Sequence, residues 1–327
     1  MNSPLSAGRR PAFDLIRGHV LVSTFAALDM TGSLTRLAEQ GLTVEEAGAN
    51  RFLSEGVFRY LSQRGVLRTD GDRYHLTELG RSLYEDRGYL VWLAGGYSEP
   101  LRRFGDLLTG TATYREDVLR DGKWVAVGSA LLGKQDVQPE VVKLLGGLEF
   151  DRVADIGCGN AHFLITLHDQ LGAKGLGIDI SPEAVAEARR EVEAAGKSGV
   201  IDVIEADGSD IASIPGLEDV QLAITFFFLH EVYEKGFDAL VDYLRALADR
   251  LPAGAHVLAA EVTAAPSSTA TDDVFGPEFA LVHAVMGQYL LDEEGWARAF
   301  TEAGLTVKGL VRPAMPDGLL ILAQKAA

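Results

Sequence analysis

The sequence predicts an α/β protein in two parts, a mainly α-helical region followed by a Rossmann-like domain with a mostly parallel sheet of seven strands. In the first half, apolar residues recur at helical spacing. In the second half, short apolar runs alternate with helical stretches, which is typical of a parallel sheet covered by helices on both faces. The change falls near residue 148, so we predict domains at 1–148 and 149–327.

The charge distribution argues against a nucleic-acid-binding protein. The chain has 327 residues, and its hydrophobic content of 47% fits a globular protein. Its net charge is −17. Residues 1–148 hold 18 basic and 18 acidic side chains, whereas residues 149–327 hold 12 basic and 29 acidic ones. Neither half has the basic excess that nucleic-acid binding requires, so we expect no such partner.

The remaining composition favours a cytoplasmic protein. No apolar segment is long enough to cross a bilayer, and the first residues lack the pattern of a secretion signal, so we expect no membrane association. Cys158 is the single cysteine, which rules out an intrachain disulfide and fits a reducing compartment.

The N-terminal region has the element order of a winged helix. Helical periodicity extends over most of residues 13–140. A hairpin is predicted where the dipeptide DG at 70–71 separates the β-prone runs GVLRT and RYHLT. A winged helix often binds DNA, and a cofactor-sensing regulator is therefore one alternative. The balanced charge favours dimerisation instead, so we expect a homodimer assembled through this domain.

Seven β-prone runs define the predicted sheet of the C-terminal domain. The first five are nearly continuous in apolar residues and are separated by helical stretches, as in parallel strands. The last two are joined by PAMPDG, which predicts an antiparallel hairpin at the sheet edge. The runs are RVADIG (152–157), GLGIDI (175–180), IDVIEAD (201–207), LAITFFFL (222–229), HVLAAEV (256–262), LTVKGLVR (305–312) and GLLILAQK (318–325).

A glycine loop follows the first run in the stretch VADIGCGNAHFL. Gly157 and Gly159 permit close approach of a ligand to the backbone, and the helix that follows offers free N–H groups. A dinucleotide fingerprint requires a further glycine or alanine where this chain has His162. Asp155, at the strand end, suits a cationic or hydroxyl-bearing ligand better than a pyrophosphate.

Acidic residues also end the second and third runs. Asp179 lies where a carboxylate can accept both hydroxyls of a ribose, and Asp207 lies where it can reach an adenine edge. With the glycine loop, these acids resemble the class I methyltransferases, and the resemblance implies S-adenosylmethionine as cofactor. It also implies the cofactor-binding residues, which are Asp155, Gly157, Gly159, Asp179, Ile180, Asp207, Gly208 and Phe226.

Two polar residues follow the fourth run, in FFFLHEVYEKG. His230 and Glu231 are expected at the carboxyl end of the sheet, where ligands of open α/β sheets bind. One interpretation makes His230 a general base, as in O-methyltransferases of the plant type. His283, on a predicted apolar helix, supports a second interpretation. Two imidazoles and a carboxylate that converge on a cleft can bind zinc or iron.

The spacing of His230, Glu231 and His283 resembles the bacterial 2-oxo acid C-methyltransferases of peptide-antibiotic biosynthesis. That resemblance implies methylation of the β-carbon of a 2-oxo acid, with the two histidines and Glu231 as catalytic residues and metal ligands. Ketone chelation by a Lewis acid would stabilise the enolate. The alternative is a metal-free O-methyltransferase in which His230 is the base.

The substrate is predicted less directly. An apolar cleft favours 4-methyl-2-oxopentanoate or phenylpyruvate, and the sequence has no clear acidic cluster for a guanidinium. The candidate substrate-binding residues are Tyr97, Ser98, Arg115, Phe227 and Met286.

Overall fold

A computed structural model describes residues 10–264 and 275–327 of the chain. It contains two compact units, Met1–Leu132 and Gly133–Ala327. The domain boundary that we place between residues 148 and 149 stays a prediction. Among the described residues, no helix has the length and apolar character needed to span a membrane.

The N-terminal unit is helical with one small hairpin, as predicted. Strands β1 (Leu67–Asp70) and β2 (Arg73–Leu76) pair antiparallel around the predicted turn. The helices are α1 (Pro11–Met30), α2 (Ser33–Glu39), α3 (Val44–Ala47), α4 (Arg51–Gln63), α5 (Glu78–Glu85), α6 (Arg87–Val91), α7 (Ser98–Arg102), α8 (Phe104–Thr109) and α9 (Gly122–Asp136), which continues past the unit's end.

Side-chain caps and an apolar core explain these helix boundaries. Thr43 and Glu46 form a reciprocal capping box at α3, and Thr77 caps α5 through the Gly80 N–H. The buried core is formed mainly by α1, α2, α4 and the hairpin, and it includes Phe25, Leu34, Leu37, Leu42, Phe58, Leu61 and Leu76.

The C-terminal unit contains the predicted seven-stranded sheet. Its strands are β3 (Arg152–Ile156), β4 (Lys174–Asp179), β5 (Ile201–Glu205), β6 (Leu222–Phe226), β7 (His256–Val262), β8 (Leu305–Val311) and β9 (Gly318–Lys325). Its helices are α10 (Gln138–Leu145), α11 (His162–Leu171), α12 (Pro182–Ala194), α13 (Leu229–Tyr233), α14 (Phe237–Arg250), α15 (Gly276–Val285) and α16 (Glu293–Glu302).

The strand order is β5-β4-β3-β6-β7-β9-β8. The first five of these strands are parallel, and β9 pairs antiparallel with both β7 and β8, which confirms the predicted terminal hairpin. Strands β3 and β6 are parallel neighbours, and the strands that follow each of them along the chain are added on opposite sides, β4 and β5 beside β3 and β7 beside β6. The switch point of the sheet therefore lies at the carboxyl ends of β3 and β6. Ligands bind at such switch points in open α/β sheets.

Strand β6 is shorter than the predicted run 222–229. It ends at Phe226, and Phe227 has φ of +55°, a left-handed conformation that a β-strand does not accommodate. Phe226, Phe227 and Phe228 are half-buried. The predicted strand is therefore too long at its end, since Phe227 and Phe228 form the turn into α13.

Candidate active site

The glycine loop between β3 and α11 folds against the neighbouring strand. The N–H groups of Gly157 and Cys158 both donate to the Ile178 carbonyl, at 2.8 and 3.0 Å. Gly157 has φ of +85° and Gly159 has φ of +54°, so both positions use the left-handed region that glycine adopts without steric cost. Burial and the nearby acids raise the pKa of Cys158, which makes this thiol a poor nucleophile.

Asp179 connects this loop to the end of β4. One carboxylate oxygen accepts the Gly159 N–H at 2.9 Å, and the other accepts the Ser181 N–H at 2.9 Å. The ribose-binding candidate is therefore held in one orientation beside the glycine loop before any ligand arrives.

Asp155 has a very different environment. It is buried inside the C-terminal unit, and burial raises its pKa from 3.8 to about 7, with the negative charge of Asp179 as the second cause. A cation at this position would favour the ionised carboxylate. The strand end therefore suits a positively charged ligand group, and the assignment of Asp155 to the cofactor site stays a prediction.

The other cofactor candidates surround these residues at the strand ends. Asp207 is exposed after β5, and its carboxylate accepts the Ser209 N–H at 2.8 Å. A side chain at Gly208 would approach Ile156 Cγ2 to 2.7 Å, so this glycine is required for close packing. Ile180 is 64% exposed, and the Phe226 ring packs 5.1 Å from the Phe163 ring.

A buried hydrogen-bond network surrounds His230 at the start of α13. Glu261 lies on β7 and is completely buried. Its Oε1 accepts the backbone N–H groups of Leu229 and His230, at 2.6 and 3.3 Å. Its Oε2 lies 2.8 Å from His230 Nδ1. With Glu261 as the acceptor, the proton of a neutral His230 is on Nδ1 and Nε2 carries the lone pair.

His283 meets His230 in the interior. The two ring centroids are 5.2 Å apart, and the planes cross at 81°. His283 Nδ1 lies 2.8 Å from the Phe279 carbonyl, which can only accept, so Nδ1 donates and Nε2 is the basic nitrogen of the neutral ring. Phe279 also stacks on His283, with a centroid distance of 4.0 Å. Two buried imidazoles thus lie together, each oriented by an acceptor at Nδ1.

This arrangement fits metal binding only in part. Metal-binding histidines usually donate the second ring N–H to a carboxylate or a backbone carbonyl, as His230 and His283 do here. Glu231 is half-buried in α13, one residue after His230. Within residues 10–264 and 275–327, however, no three His, Cys, Asp or Glu side chains form a group that could hold a metal ion.

The substrate-binding candidates lie in both units. Tyr97 is buried, packs on Trp92 with centroids 4.6 Å apart, and accepts a hydrogen bond from Arg120 at 3.4 Å. Ser98 donates to the Ala94 carbonyl and lines an open cavity of about 460 Å³ in the N-terminal unit. Arg115 is exposed and has φ of +75°.

The other two candidates belong to the C-terminal unit. Phe227 forms the turn after β6, and Met286 is buried just after α15. Met286 donates its backbone N–H to the His283 carbonyl at 3.0 Å. Both residues therefore lie next to the elements that carry the two histidines.

Glu261 is part of the network around His230, but its role was not predicted from the sequence. The available clue was an acid inside an otherwise apolar strand, HVLAAEV. A carboxylate buried in a sheet requires hydrogen-bond partners, so its position alone marks it as part of a polar network.

Known proteins of similar sequence and structure point to one class. A family model for a methyltransferase domain matches residues 153–251. The chain is 31% identical over 312 residues to 2-ketoarginine methyltransferase of Streptomyces arginensis, covering 90% of this chain and 88% of the relative. It is 28% identical over 274 residues to indolepyruvate C-methyltransferase of Streptomyces griseus, covering 82% and 79%.

A solved structure extends the likeness to the whole fold. An O-methyltransferase family protein from Burkholderia thailandensis superposes with a TM-score of 0.67, covering 98% of this chain and 99% of that one at 15% identity. The fold and the cofactor end of the sheet thus define a class I methyltransferase that depends on S-adenosylmethionine. Within that class, the chain belongs to the family of 2-ketoarginine methyltransferase.

Proposed function

We propose that this enzyme transfers the methyl group of S-adenosylmethionine to the β-carbon of a 2-oxo acid. The observation that carries the proposal is the buried pair His230 and His283, with ring centroids 5.2 Å apart and both Nε2 atoms basic in the neutral rings. A hydroxyl needs only one base before it attacks a methyl group. A carbon acid is much weaker, so an electrophile is also needed at the ketone oxygen, and a metal ion held by the two Nε2 atoms would supply it.

The names of the relatives support the same chemistry. One is a 2-ketoarginine methyltransferase and another is an indolepyruvate C-methyltransferase. Both names denote action on a 2-oxo acid, although the two side chains differ greatly. We therefore propose that the substrate of this enzyme is also a 2-oxo acid, and we infer its side chain from other observations. From the apolar cleft that the sequence predicts, 4-methyl-2-oxopentanoate and phenylpyruvate are the first candidates.

The cofactor is assigned to the carboxyl ends of β3 and β4. Asp155 pairs with the cationic ammonium of the methionine part, since ligand charge compensates the buried carboxylate. Gly157 and Gly159 leave room for the same part of the cofactor, and Asp179 accepts the ribose hydroxyls. Asp207, Gly208, Ile180 and Phe226 complete the proposed cofactor site.

A zinc or iron ion is part of the proposal, with His230 and His283 as ligands and Glu231 as the predicted third ligand, although the three side chains do not form one group in the described part of the structure. The two imidazoles suit such an ion because Glu261 and the Phe279 carbonyl already accept their Nδ1 protons. When bound, the metal would polarise the ketone and stabilise enolate charge. Glu261 would then orient His230 as a ligand.

One observation favours a second candidate function, a metal-free O-methyltransferase. The contact of 2.8 Å between Glu261 and His230 Nδ1 is an imidazole–carboxylate pair of the kind that supports general-base catalysis. His230 Nε2 would take the proton of a hydroxyl, and Glu261 would stabilise the imidazolium that forms.

One experiment separates the two functions. The enzyme is incubated with S-adenosylmethionine and, in parallel, with 4-methyl-2-oxopentanoate, phenylpyruvate and a set of phenols, and NMR locates the new methyl group. We expect a methyl group on carbon C3 of an oxo acid. Methylation of phenol oxygen alone would reject the proposal. Elemental analysis tests the metal, with stoichiometric zinc or iron expected in the wild type and its loss expected in His283→Ala.

The N-terminal domain is proposed to form a homodimer. Helix α1 exposes several large apolar side chains in the isolated chain, among them Phe13, Leu15 and Ile16. Such exposure is typical of an interaction surface. Light scattering should give twice the chain mass for the wild type, and Leu15→Asp should shift it toward the monomer. A wild-type protein that stays monomeric at micromolar concentration would contradict this assignment.

A further inference from the structure

Gln288 is a buried polar residue that the proposed chemistry does not use. It follows α15, and only 4% of its surface is exposed. Its side-chain oxygen Oε1 has no hydrogen-bond donor among the described residues. A buried acceptor left unpaired is costly, so such groups usually have a partner in the working protein.

The position of Gln288 connects it with the active site. Its backbone N–H donates to the His283 carbonyl at 2.9 Å, and the Met286 N–H donates to the same oxygen at 3.0 Å. The turn that ends α15 therefore folds back on His283. The buried neighbours along this stretch, Phe279, Val282 and Met286, are apolar. One buried amide side chain thus belongs to a turn that is hydrogen-bonded to the backbone of His283, five residues after this proposed catalytic histidine.

We propose that Gln288 is a specificity-determining residue, and that its Oε1 accepts a hydrogen bond from an N–H or O–H group in the substrate side chain. This inference rests on the proposed 2-oxo acid function and narrows its substrate class. On this inference the substrate is a 2-oxo acid with a largely apolar side chain that ends in a hydrogen-bond donor, which 4-methyl-2-oxopentanoate and phenylpyruvate do not have. A side chain without the donor leaves Oε1 unpaired, and sites of this kind discriminate strongly against such analogues.

Three matched pairs of substrates test the proposal. In each pair the two acids have similar shape and only one has a donor at the far end. The pairs are 4-hydroxyphenylpyruvate with phenylpyruvate, the 3-indolyl with the 3-benzothienyl 2-oxopropanoate, and 5-guanidino-2-oxopentanoate with 7-methyl-2-oxooctanoate. For each acid, kcat/KM is measured, together with Kd for the enzyme bound to S-adenosylhomocysteine.

We expect the wild type to prefer the donor-bearing member of at least one pair by about 10- to 100-fold. Gln288→Met keeps the side-chain length but removes the acceptor, and it should bring that ratio close to one. Gln288→Glu should raise the ratio only if the preferred pair is the guanidino pair. Gln63→Met, at an exposed position of α4, is the matched control and should leave all the ratios as in the wild type.

The outcomes separate this inference from the proposed function. If oxo acids bind and are methylated on carbon but Gln288→Met leaves every ratio unchanged, Gln288 has no role in specificity and the inference fails alone. If the wild type shows no preference for the donor-bearing acid in any pair, the inference also fails alone. If no 2-oxo acid binds or reacts, the proposed function fails as well. Because both readouts are ratios, a moderate loss of stability in a variant does not change the conclusion.

Discussion

Two buried carboxylates of the same sheet differ in their electrostatic surroundings and in their hydrogen-bond partners. Asp155, at the end of β3, has a pKa raised to about 7, first by burial and then by the nearby Asp179. Glu261, near the end of β7, accepts three hydrogen bonds, from two backbone N–H groups and from His230 Nδ1. Burial thus disfavours the ionised form of Asp155, whereas three hydrogen-bond donors satisfy the carboxyl group of Glu261.

The difference separates two tasks of a methyltransferase. At the proposed cofactor site, the ammonium of the ligand would supply the charge that compensates Asp155, so binding and protonation would be coupled. At the proposed catalytic site, Glu261 already accepts the N–H groups of Leu229 and His230 and lies against His230 Nδ1, so the orientation of His230 needs no ligand. Substitutions at Asp155 should therefore alter binding and pH dependence, and substitutions at Glu261 should alter turnover.

The largest expected effect is on turnover, through Glu261→Gln. An amide cannot accept on both sides as the carboxylate does, so its NH2 group would face the Nδ1 proton and favour the wrong tautomer of His230. We expect kcat to fall by roughly 10²- to 10⁴-fold, while the Kd of S-adenosylhomocysteine changes little. Steady-state kinetics and calorimetry measure the two quantities. Glu302→Gln, on the exposed face of α16, is the control, and a Glu261→Gln variant with kcat within threefold of the wild type would contradict the assignment.

The second effect is on the stability of the free protein. Below about pH 4, Asp155 is protonated in both the folded and the unfolded chain. Between there and about pH 7, only the unfolded carboxyl ionises, so the free energy of unfolding falls as the pH rises. Asp155→Asn removes this contribution. Urea unfolding should show that, from pH 5 to pH 7.5, the free energy of unfolding of the variant rises relative to that of the wild type by an amount on the order of a few kcal/mol.

The comparison isolates Asp155 because the wild type and Asp155→Asn share all the other titrating groups. An unchanged stability difference between pH 5 and pH 7.5 would mean that Asp155 has an ordinary pKa in the folded chain. The contrast with Glu261 would then disappear.

The pattern of the sequence predicted the sheet well because strands buried on both faces must be apolar throughout. All seven predicted runs correspond to strands. The end of β6 was the exception. Phe227 has high β-propensity, and nothing in the local pattern marks the positive φ that ends the strand there. Directly after this turn, the N–H groups of Leu229 and His230 donate to Glu261, a long-range contact that the local pattern does not reveal.

The sequence predicted the two histidines of the candidate site but not the groups that orient them. Motif spacing along the chain led to His230 and His283, which the fold brings into ring contact. Their partners could not be predicted from local patterns. Glu261 is 31 residues away from His230 in sequence, and the Phe279 carbonyl belongs to the backbone. Partners of this kind depend on strand register and helix phase, which only the tertiary structure defines.

The third effect is a pH dependence of cofactor affinity. A protonated Asp155 must lose its proton to pair with the cofactor ammonium, so binding releases a proton below about pH 7. The affinity for S-adenosylmethionine should therefore rise by up to about tenfold per pH unit from pH 5.5 to pH 7 and then level off. Calorimetry in two buffers of different ionisation enthalpy measures the released proton. Asp155→Asn should bind weakly and without this slope, and an equal slope in the variant would assign the proton to another group.

The smallest effect concerns the turn that holds His230 against Glu261. Phe227 has φ of +55°, which glycine adopts readily and other residues do not. Replacing Phe227 by Ala and by Gly removes the same half-buried ring in both variants, so the difference between them reports the backbone conformation. We expect the Gly variant to be about 1 kcal/mol more stable than the Ala variant in urea unfolding. Equal stability would mean that the turn relaxes once the ring is gone, and that the hydrogen bonds of Glu261 do not hold it in the left-handed conformation.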